Sequence, residues 1–322
     1  MGWNKIFIMS NTGATGGTEL LHQLGYKLNQ LGIDTYMVYS KPVQGSTVEK
    51  AFFKKYDVKI ADKVEESPDN LLIMPENIIK YLPLYKNIQK AAWWLSVDNF
   101  SGARKGKSTI FRYLLRLLLD KWISIYQNKW IHFTQSEYAR LYLTEERHVS
   151  PGHIYSLSDY LNSAFIEKNR DISFSNRKDN ILYNPKKGVE VTMTIKELIP
   201  DYNWIPIQGM TPEEICNLMR ESKLYIDFGN HPGKDRMPRE AAICGCCIIT
   251  GKRGAAENDI DIMIPKEYKI DDKDINSISS KINYVMSNYY NIISEFEDYR
   301  NKIKNEEMVF DKEIETFFIR KK

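Results

Sequence analysis

The sequence has 322 residues, 43% of them hydrophobic, and 45 Lys and Arg against 42 Asp and Glu leave a net charge of +3. This is the composition of a globular protein of about two domains, and it excludes a disordered chain. No apolar run approaches the roughly 20 residues of a membrane-spanning helix, the polar start does not resemble a signal peptide, and the cysteines show no framework spacing, so we expect a cytoplasmic protein.

The chain opens with a βαβ pattern. A strand at Lys5–Ser10, a glycine-rich turn at Asn11–Glu19, a helix at Leu20–Gly32 and a second strand at Asp34–Tyr39 follow one another. This order is Rossmann-like. The glycines of the turn do not fit the G-x-G-x-x-G fingerprint, so the sequence supports an NAD site only poorly.

Two acidic residues lie where predicted strands end. The strands cover Asn70–Glu76 and Ala91–Phe100, so Glu76 ends the first and Asp98 comes near the end of the second. In an open parallel sheet, ligands bind outside the carboxyl ends of the strands. An ionised carboxylate there can act as a base toward a substrate hydroxyl, which makes Asp98 the first catalytic candidate and Glu76 the second. A helix-capping or turn role is the alternative for both.

The first half of the chain is basic. Residues 1–165 carry 20 Lys and Arg against 15 Asp and Glu, a balance of +5, whereas the remainder carries 25 against 27, a balance of −2. The segment Arg104–Trp130 combines basic side chains with Trp, Phe and Leu, which is typical of helices that lie on anionic membranes. We expect an anionic acceptor or a membrane surface, not nucleic acid, as the partner. A buried helix with basic ends is the alternative for this segment.

The second half alternates strands and helices after a polar, aperiodic link at Asn162–Asn180. Thr211 is the predicted N-cap of a helix that starts with Pro212. The other predicted elements are a strand within Asn180–Gly188, a helix at Val189–Pro200, strands at Asn203–Gly209 and Ile264–Asp271, and closing helices.

The most informative stretch is Asp227–Thr250, which reads as strand, loop, helix and strand. Its loop and helix start contain Lys234, Arg236 and Arg239. A helix N-terminus offers free N–H groups and the positive end of the helix dipole, so three cations beside it indicate a phosphate site. Glu240, in the same helix turn, is a candidate acceptor for a sugar hydroxyl. An ordinary αβ unit with a charged surface loop is the alternative.

These residues carry a resemblance to a known family. The segment PREAAICGCCIITGKRGAAE resembles the nucleotide-contacting segment of GT-B fold glycosyltransferases, and is most similar to retaining family 4. Glu240 fits the second glutamate of that family's E-x7-E pattern, which holds the donor ribose. Pro232 stands where the pattern has its first glutamate, and Asp235 or His231 is the candidate substitute there.

The resemblance implies a fold and a division into domains. We expect an α/β protein of the GT-B class, with two Rossmann-like domains whose parallel sheets face a cleft. Residues 1–165 would form the acceptor domain and residues 166–300 the nucleotide-sugar domain. The last segment, residues 301–322, would cross back to the first domain as a helix.

The resemblance also implies site residues. The GG-T-E step at Gly16 and Gly17 resembles the start of the first helix in many GT-B enzymes, although a plain strand-to-helix turn fits it too. Lys186 and Lys187 match a basic loop that faces the donor diphosphate, and a basic hairpin is the alternative. The predicted donor-binding residues are therefore Gly16, Gly17, Lys186, Lys187, Gln208, Met210, His231, Gly233, Lys234, Asp235, Arg236, Arg239 and Glu240.

The predicted function is transfer of a sugar from a nucleotide diphosphate sugar to a hydroxyl of a glycan or lipid-linked acceptor, in bacterial surface polysaccharide or lipopolysaccharide assembly. GT-B enzymes generally need no bound metal or other cofactor, so we expect none. Two alternatives stay open: a non-catalytic sugar-nucleotide or membrane-binding partner of a glycan complex, and a nucleotide-sugar epimerase on the same fold.

Overall fold

The structure is a computed structural model that describes residues 2–11, 13, 15–39, 53–100, 118, 121 and 123–319. The chain forms two compact units. Unit 1 comprises Met1–Asp159 together with Met308–Lys322, and unit 2 comprises Tyr160–Glu307. The sequence placed the corresponding boundaries at residues 165 and 300.

Unit 1 contains a seven-stranded parallel sheet in the order β3-β2-β1-β4-β5-β6-β7. Strands such as β4 (NLLIMP) are buried along their whole length, as expected for a parallel sheet covered on both faces. The strands are β1 (Lys5–Ser10), β2 (Thr35–Tyr39), β3 (Lys59–Ile60), β4 (Asn70–Pro75), β5 (Gln89–Trp94), β6 (Ile131–Thr134) and β7 (Ile154–Ser156).

In unit 1, helix α1 (Gly16–Gln30) follows β1, and helix α2 (Glu137–Leu141) follows β6. Helix α1 begins with a capping box in which the side chains of Thr15 and Thr18 satisfy each other's backbone N–H groups. Its apolar positions, among them Leu24 and Leu28, are fully buried. The predicted βαβ opening is therefore confirmed.

Unit 2 contains a four-stranded parallel sheet in the order β11-β10-β8-β9. Its strands are β8 (Lys178–Tyr183), β9 (Asn203–Pro206), β10 (Ser222–Asp227) and β11 (Cys247–Thr250). Its helices are α3 (Ser163–Lys168), α4 (Val189–Leu198), α5 (Pro212–Glu221), α6 (Arg236–Ile243), α7 (Ile275–Ile292) and α8 (Glu297–Lys304). Thr211 caps α5 in a capping box with Glu214, as the sequence predicted.

Helix α9 (Glu306–Ile314) contains the point where the chain passes from one unit to the other. Glu306 and Glu307 belong to unit 2, and Met308 begins the part that belongs to unit 1. In unit 1, Phe310 stacks on Trp93 with ring centroids 6.4 Å apart, and Phe317 stacks on Trp3 at 5.6 Å. The last residues therefore complete the core of the unit that the first residues begin.

The predicted strand Ile264–Asp271 is wrong: the segment forms a short 3-10 turn at Lys266–Tyr268 and a single bridge from Lys269 to Thr250. Pro265 has no N–H to donate to a neighbouring strand, which helps to explain why no ladder extends there. The predicted basic helix Arg104–Trp130 lies mostly outside the described residues. No helix among those the structure describes is long and apolar enough to cross a bilayer.

Candidate functional site

The order of the strands in unit 2 places two loops at one point of the sheet. After β8 the chain moves outward to β9 on one side, and after β9 it returns to form β10 and β11 on the other side. Neighbouring strands β8 and β10 thus form the topological switch point. Ligands of open parallel sheets bind outside the carboxyl ends of the strands at such a point. The loops concerned are 184–188 and 228–235.

These two loops touch backbone to backbone. Gly188 has a positive φ of 58°, and a Cβ on it would lie 2.4 Å from the carbonyl carbon of Phe228. A Cβ on Gly229 would lie 2.4 Å from the Cβ of Lys187. No side chain fits at either position, so the close approach fixes Lys187 beside the start of the second loop.

A buried charged cluster occupies the same edge of the sheet. His231 is fully buried, with Nδ1 3.0 Å from Asp235 Oδ2 and Nε2 3.7 Å from Asp227 Oδ1. Lys187 Nζ lies 2.7 Å from Asp235 Oδ2. Asp227, the last residue of β10, also accepts hydrogen bonds from the Tyr225 hydroxyl and from a backbone N–H of the following loop, both at 2.9 Å.

The pKa values of His231 and Asp235 shift toward the charged forms. Burial opposes charge on the His231 ring, but hydrogen bonding to Asp235 and the charge of Asp227 outweigh it and raise the pKa of His231. Burial likewise opposes the Asp235 carboxylate, and contact with His231 and Lys187 outweighs it and lowers the pKa of Asp235. The contact between His231 and Asp235 therefore favours the charged form of both side chains.

The same residues offer metal-ligand atoms. One side-chain atom each of Asp227, His231 and Asp235 lies within 4.8 Å of the others. A His and two carboxylates suit a divalent cation by type. However, the ammonium of Lys187 already neutralises Asp235, and both oxygens of Asp227 already accept hydrogen bonds. The donor set is thus better matched to its own cations than to a metal ion.

The predicted phosphate ligands of α6 separate into buried and exposed groups. Arg239 is fully buried, and its Nη1 lies 2.7 Å from Glu306 Oε2. Lys234, nearly buried, places Nζ 2.6 Å from the other oxygen of Glu306. Arg236 lies on the exposed face, where Nη2 is 3.1 Å from Glu240 Oε1, one helical turn later.

The remaining predicted donor residues of unit 2 lie in loops. Lys186 is exposed, and its side chain forms no ion pair with any residue that the structure describes. Gln208 is exposed and Met210 half-buried in the loop after β9, on either side of Gly209 with its positive φ of 65°. Gly233 is buried within the loop after β10.

In unit 1, Glu76 ties two strand ends together. It follows β4 directly, is 3% exposed, and its Oε2 accepts a 2.9 Å hydrogen bond from the backbone N–H of Leu95, just past β5. Burial raises its pKa to about 7, although backbone N–H groups of Leu95, Ser96 and Glu76 itself counteract this. The side chain supports the loop after β5 and is not presented on the surface.

Asp98 lies in that loop, within a 3-10 turn at Val97–Asn99, and is half-buried. The Tyr138 hydroxyl donates a 3.1 Å hydrogen bond to Asp98 Oδ1. Helix α2, which carries Tyr138, follows β6, so the ends of β4, β5 and β6 all contribute to this edge of the sheet. A carboxylate oriented by a tyrosine hydroxyl can accept a proton from a substrate hydroxyl.

Gly16 and Gly17 form the first turn of α1. A Cβ on Gly17 would lie 3.7 Å from Leu95 Cδ1, an ordinary contact. Gly17 thus lies beside the loop that Glu76 supports, and packing there does not itself demand a glycine.

Three residues of these sites were not predicted from the sequence: Asp227, Tyr138 and Glu306. Asp227 could have been predicted as a site residue, since it is a carboxylate at the end of a predicted strand. Tyr138 and Glu306 could not have been predicted from a local pattern, because their partners Asp98 and Arg239 are 40 and 67 positions away in the sequence.

Comparison with solved structures relates the whole chain to glycosyltransferases. A glycosyltransferase from Rickettsia africae has a TM-score of 0.68 and 13% sequence identity, with 98% of this chain and 97% of that chain covered. A variant of S. aureus TarM, in complex with fondaparinux, alpha-GlcNAc-glycerol and UDP, has a TM-score of 0.67 and 10% identity, with 99% and 97% covered.

WaaG, a glycosyltransferase involved in lipopolysaccharide biosynthesis, has a TM-score of 0.57 and 10% identity, with 95% of this chain and 98% of that chain covered. No protein-family model matches the sequence, and no curated protein matches it either. At these identities the likeness concerns the fold.

Proposed function

Because the chain has the GT-B fold, we propose that it is a glycosyltransferase. It moves a sugar from a nucleotide diphosphate sugar to a hydroxyl of a glycan or lipid-linked acceptor. The observation that carries the proposal is the switch point of unit 2, where Gly188 and Gly229 bring two loops with Lys187 and Asp235 into contact.

The donor diphosphate binds at this switch point. As the glycosidic bond to the donor breaks, negative charge grows on the leaving diphosphate, and fixed cations stabilise it. Lys186 and Arg236 are the exposed cations there, and Lys187 is partly exposed. The N-terminus of α6 adds its free N–H groups and the positive end of its dipole.

Glu240 binds the donor ribose. Its carboxylate shares the exposed face of α6 with Arg236 and lies one turn from the start of the helix. A ribose hydroxyl could donate to the Glu240 oxygen while Arg236 turns toward the diphosphate. Lys234 and Arg239 form ion pairs with the buried Glu306, so they hold the loop in place and do not contact the donor.

The acceptor binds at the carboxyl edge of the sheet in unit 1. Asp98 accepts the proton of the acceptor hydroxyl, and Tyr138 holds its carboxylate in place. Glu76 fixes the loop that carries Asp98. WaaG, one of the similar structures named above, is involved in lipopolysaccharide biosynthesis, so we infer a surface polysaccharide or lipopolysaccharide intermediate as acceptor, used at the cytoplasmic face of the membrane.

The proposed transfer needs no metal ion. The two carboxylates that could hold one are matched by Lys187 and His231, and lysine, arginine and helix N–H groups are available for the diphosphate. Activity that survives EDTA would support this point, and activity that requires a divalent cation would reject it.

A non-catalytic sugar-nucleotide-binding partner of a glycan complex is the second candidate. Pro232 favours it, because this residue occupies the place of the first glutamate in the pattern E-x7-E and provides no polar side chain for the donor sugar. Such a partner would bind nucleotide sugars without turning them over.

The deciding experiment is a thermal-shift screen with nucleoside diphosphates and nucleotide sugars in EDTA, followed by a transfer assay with the base that binds. A ligand that binds only the folded state raises the melting temperature once its concentration exceeds Kd. Lys186→Ala and Glu240→Ala should weaken binding by about tenfold or more. A shift with NAD(H) alone would reject the proposal, and binding without transfer to any acceptor would favour the non-catalytic partner.

A further inference from the structure

One buried carboxylate joins the loop after β10 to the first turn of α9. Glu306 is 4% exposed, and each of its side-chain oxygens meets a different cation. Oε1 lies 2.6 Å from Lys234 Nζ, and Oε2 lies 2.7 Å from Arg239 Nη1. A single carboxylate that the protein shields from solvent therefore contacts two positive charges.

Arg239 also donates hydrogen bonds to the backbone of that loop. Its Nε donates to the carbonyl oxygen of Asp235 at 3.2 Å, and its Nη2 donates to that of Lys234 at 3.1 Å. The planar guanidinium presents these donors in a fixed fork. Because a third nitrogen holds Glu306, one side chain fixes the loop backbone relative to the start of α9.

The opposite side of the same loop faces the proposed diphosphate. Asp235, whose carbonyl Arg239 holds, receives Lys187 on its carboxylate at 2.7 Å and also contacts His231. A chain of charged contacts thus runs from Lys187 through Asp235 and Arg239 to Glu306. Every contact in it lies within unit 2.

From these contacts we propose that Glu306 is a positioning residue for donor binding, a role that rests on the proposed function. It locks the loop 230–235 against the first turn of α9, and so keeps Lys187 and Asp235 at the switch point. Since α9 carries the chain onward into unit 1 at Met308, the donor loop is tied to the helix that connects the two units.

The physical reason for a large effect is burial. When one partner of a buried ion pair is removed, the other charge stays in a medium of low polarity without compensation. Loss of the Glu306 charge would remove this partner from Lys234 and Arg239 together. The loop and the start of α9 should then separate more often, which exposes their amides to exchange with solvent.

The test compares Glu306→Gln with Glu307→Gln in the full-length protein. Glu307 is in the same helix turn, so the control removes one charge of the same sign near the same helix start. Hydrogen–deuterium exchange in the loop 230–235 and in the first turns of α9 should be at least about tenfold faster in Glu306→Gln. The Kd for UDP or GDP should rise by about tenfold, and the control should match the wild type in both.

Lys234→Met provides a second variant in case Glu306→Gln does not fold. It removes the contact between Lys234 and Glu306 and leaves the pair of Arg239 and Glu306 in place. Exchange in the loop should become faster and nucleotide binding weaker, whereas Lys234→Arg should keep both at the wild-type level. Urea unfolding, measured in parallel, separates this local effect from a general loss of stability.

The inference would be overturned if the folded Glu306 and Lys234 variants kept wild-type exchange rates and wild-type nucleotide affinity. It would also be overturned if the variants bound nucleotide more tightly, because Glu306 would then compete with the donor. If the wild type itself binds no nucleotide, the proposed function fails. The exchange comparison then decides by itself whether Glu306 locks the loop.

Discussion

Gly188 and Phe228 lie backbone against backbone, so that a Cβ added to Gly188 would come within 2.4 Å of the Phe228 carbonyl carbon. Because Phe228 directly follows β10 and Gly188 closes the loop after β8, this one contact fixes the spacing of the two loops at the switch point. The atoms that a Cβ on Gly188 would meet are backbone atoms of Phe228 and Gly229, which cannot move aside as the end of a flexible side chain can.

Gly188→Ala should therefore destabilise unit 2 by about 3 kcal/mol and abolish nucleotide binding, through both the clash and the positive φ. Gly209→Ala is the matched control, because its φ of 65° is similar but no atom lies within 4 Å of the added Cβ. It should lose only about 1 kcal/mol. Urea unfolding of both variants checks this, and equal losses would show that the backbone conformation alone matters.

Glu76 should make unit 1 less stable as pH rises. Its pKa of about 7 lies above that of the unfolded chain, so between about pH 4.5 and 7 the folded state binds more protons than the unfolded state. The free energy of unfolding then falls across this interval, by about 3 kcal/mol for a shift of this size.

Glu76→Gln should remove that dependence. The measurement is urea unfolding at pH 5 and pH 8, followed by tryptophan fluorescence, since Trp3, Trp93, Trp94, Trp122 and Trp130 lie in unit 1 and only Trp204 in unit 2. The wild type should lose more stability than the variant between the two pH values. The same loss in both would show that Glu76 does not titrate in this interval.

Asp98 and Tyr138 should affect the chemical step and not donor binding. Asp98→Asn should lower kcat by at least about 100-fold, because an amide cannot take the acceptor proton. Tyr138→Phe removes one hydrogen bond and should lower kcat by roughly tenfold or less. The Kd for UDP or GDP should stay unchanged in both.

Glu137→Gln, on the same helix as Tyr138, serves as the control for this prediction. Its carboxylate pairs with Arg140 and not with Asp98. Full activity of Asp98→Asn would remove Asp98 as the base, and loss of nucleotide binding in Tyr138→Phe would place its role outside the acceptor site.

His231 should stabilise unit 2 below neutral pH. Its folded-state pKa is raised, so the protonated ring contributes stability that is fully present below about pH 6.5 and is lost as pH rises through the folded-state pKa. Between pH 6 and pH 9 the wild type should therefore lose more stability than His231→Gln. Circular dichroism during urea unfolding measures the difference.

His153→Gln is a control at a histidine of unit 1 that lies far from this cluster in the sequence. It should keep the wild-type dependence on pH. If His231→Gln keeps it too, the ring is neutral in the folded protein, and Lys187 is then the cation that pairs with Asp235.

The sequence was sufficient for the fold class because the strong local patterns agreed. The strand β4, the N-cap at Thr211 and the order strand, loop, helix, strand from Asp227 to Thr250 all appear where they were predicted. The GT-B class was confirmed by the two parallel sheets and by the solved structures. The strand predicted at Ile264–Asp271 is wrong because Pro265 has no N–H to donate, and the segment forms only a 3-10 turn and one bridge, from Lys269 to Thr250.

The site was less predictable, since the sign of a side chain's charge does not show whether that side chain points to solvent or to the protein interior. Arg236 and Arg239 read alike in the sequence, yet Arg239 is fully buried and Arg236 is exposed. Helical spacing held part of the answer: Arg239 is three and four positions before Ala242 and Ile243, both buried, and so lies on the inner face. The identity of its partner, Glu306, depends on tertiary contacts that no local pattern encodes.

The return of the C-terminal residues to unit 1 has a consequence for synthesis on the ribosome. Unit 2 is one continuous stretch, Tyr160–Glu307, and all of its strands exist before the last helix is made. Unit 1 must wait for Phe310 and Phe317 before Trp93 and Trp3 can be covered. A chain released after residue 307 should therefore hold a folded second half and an unfinished first half, the reverse of the order in which the two were translated.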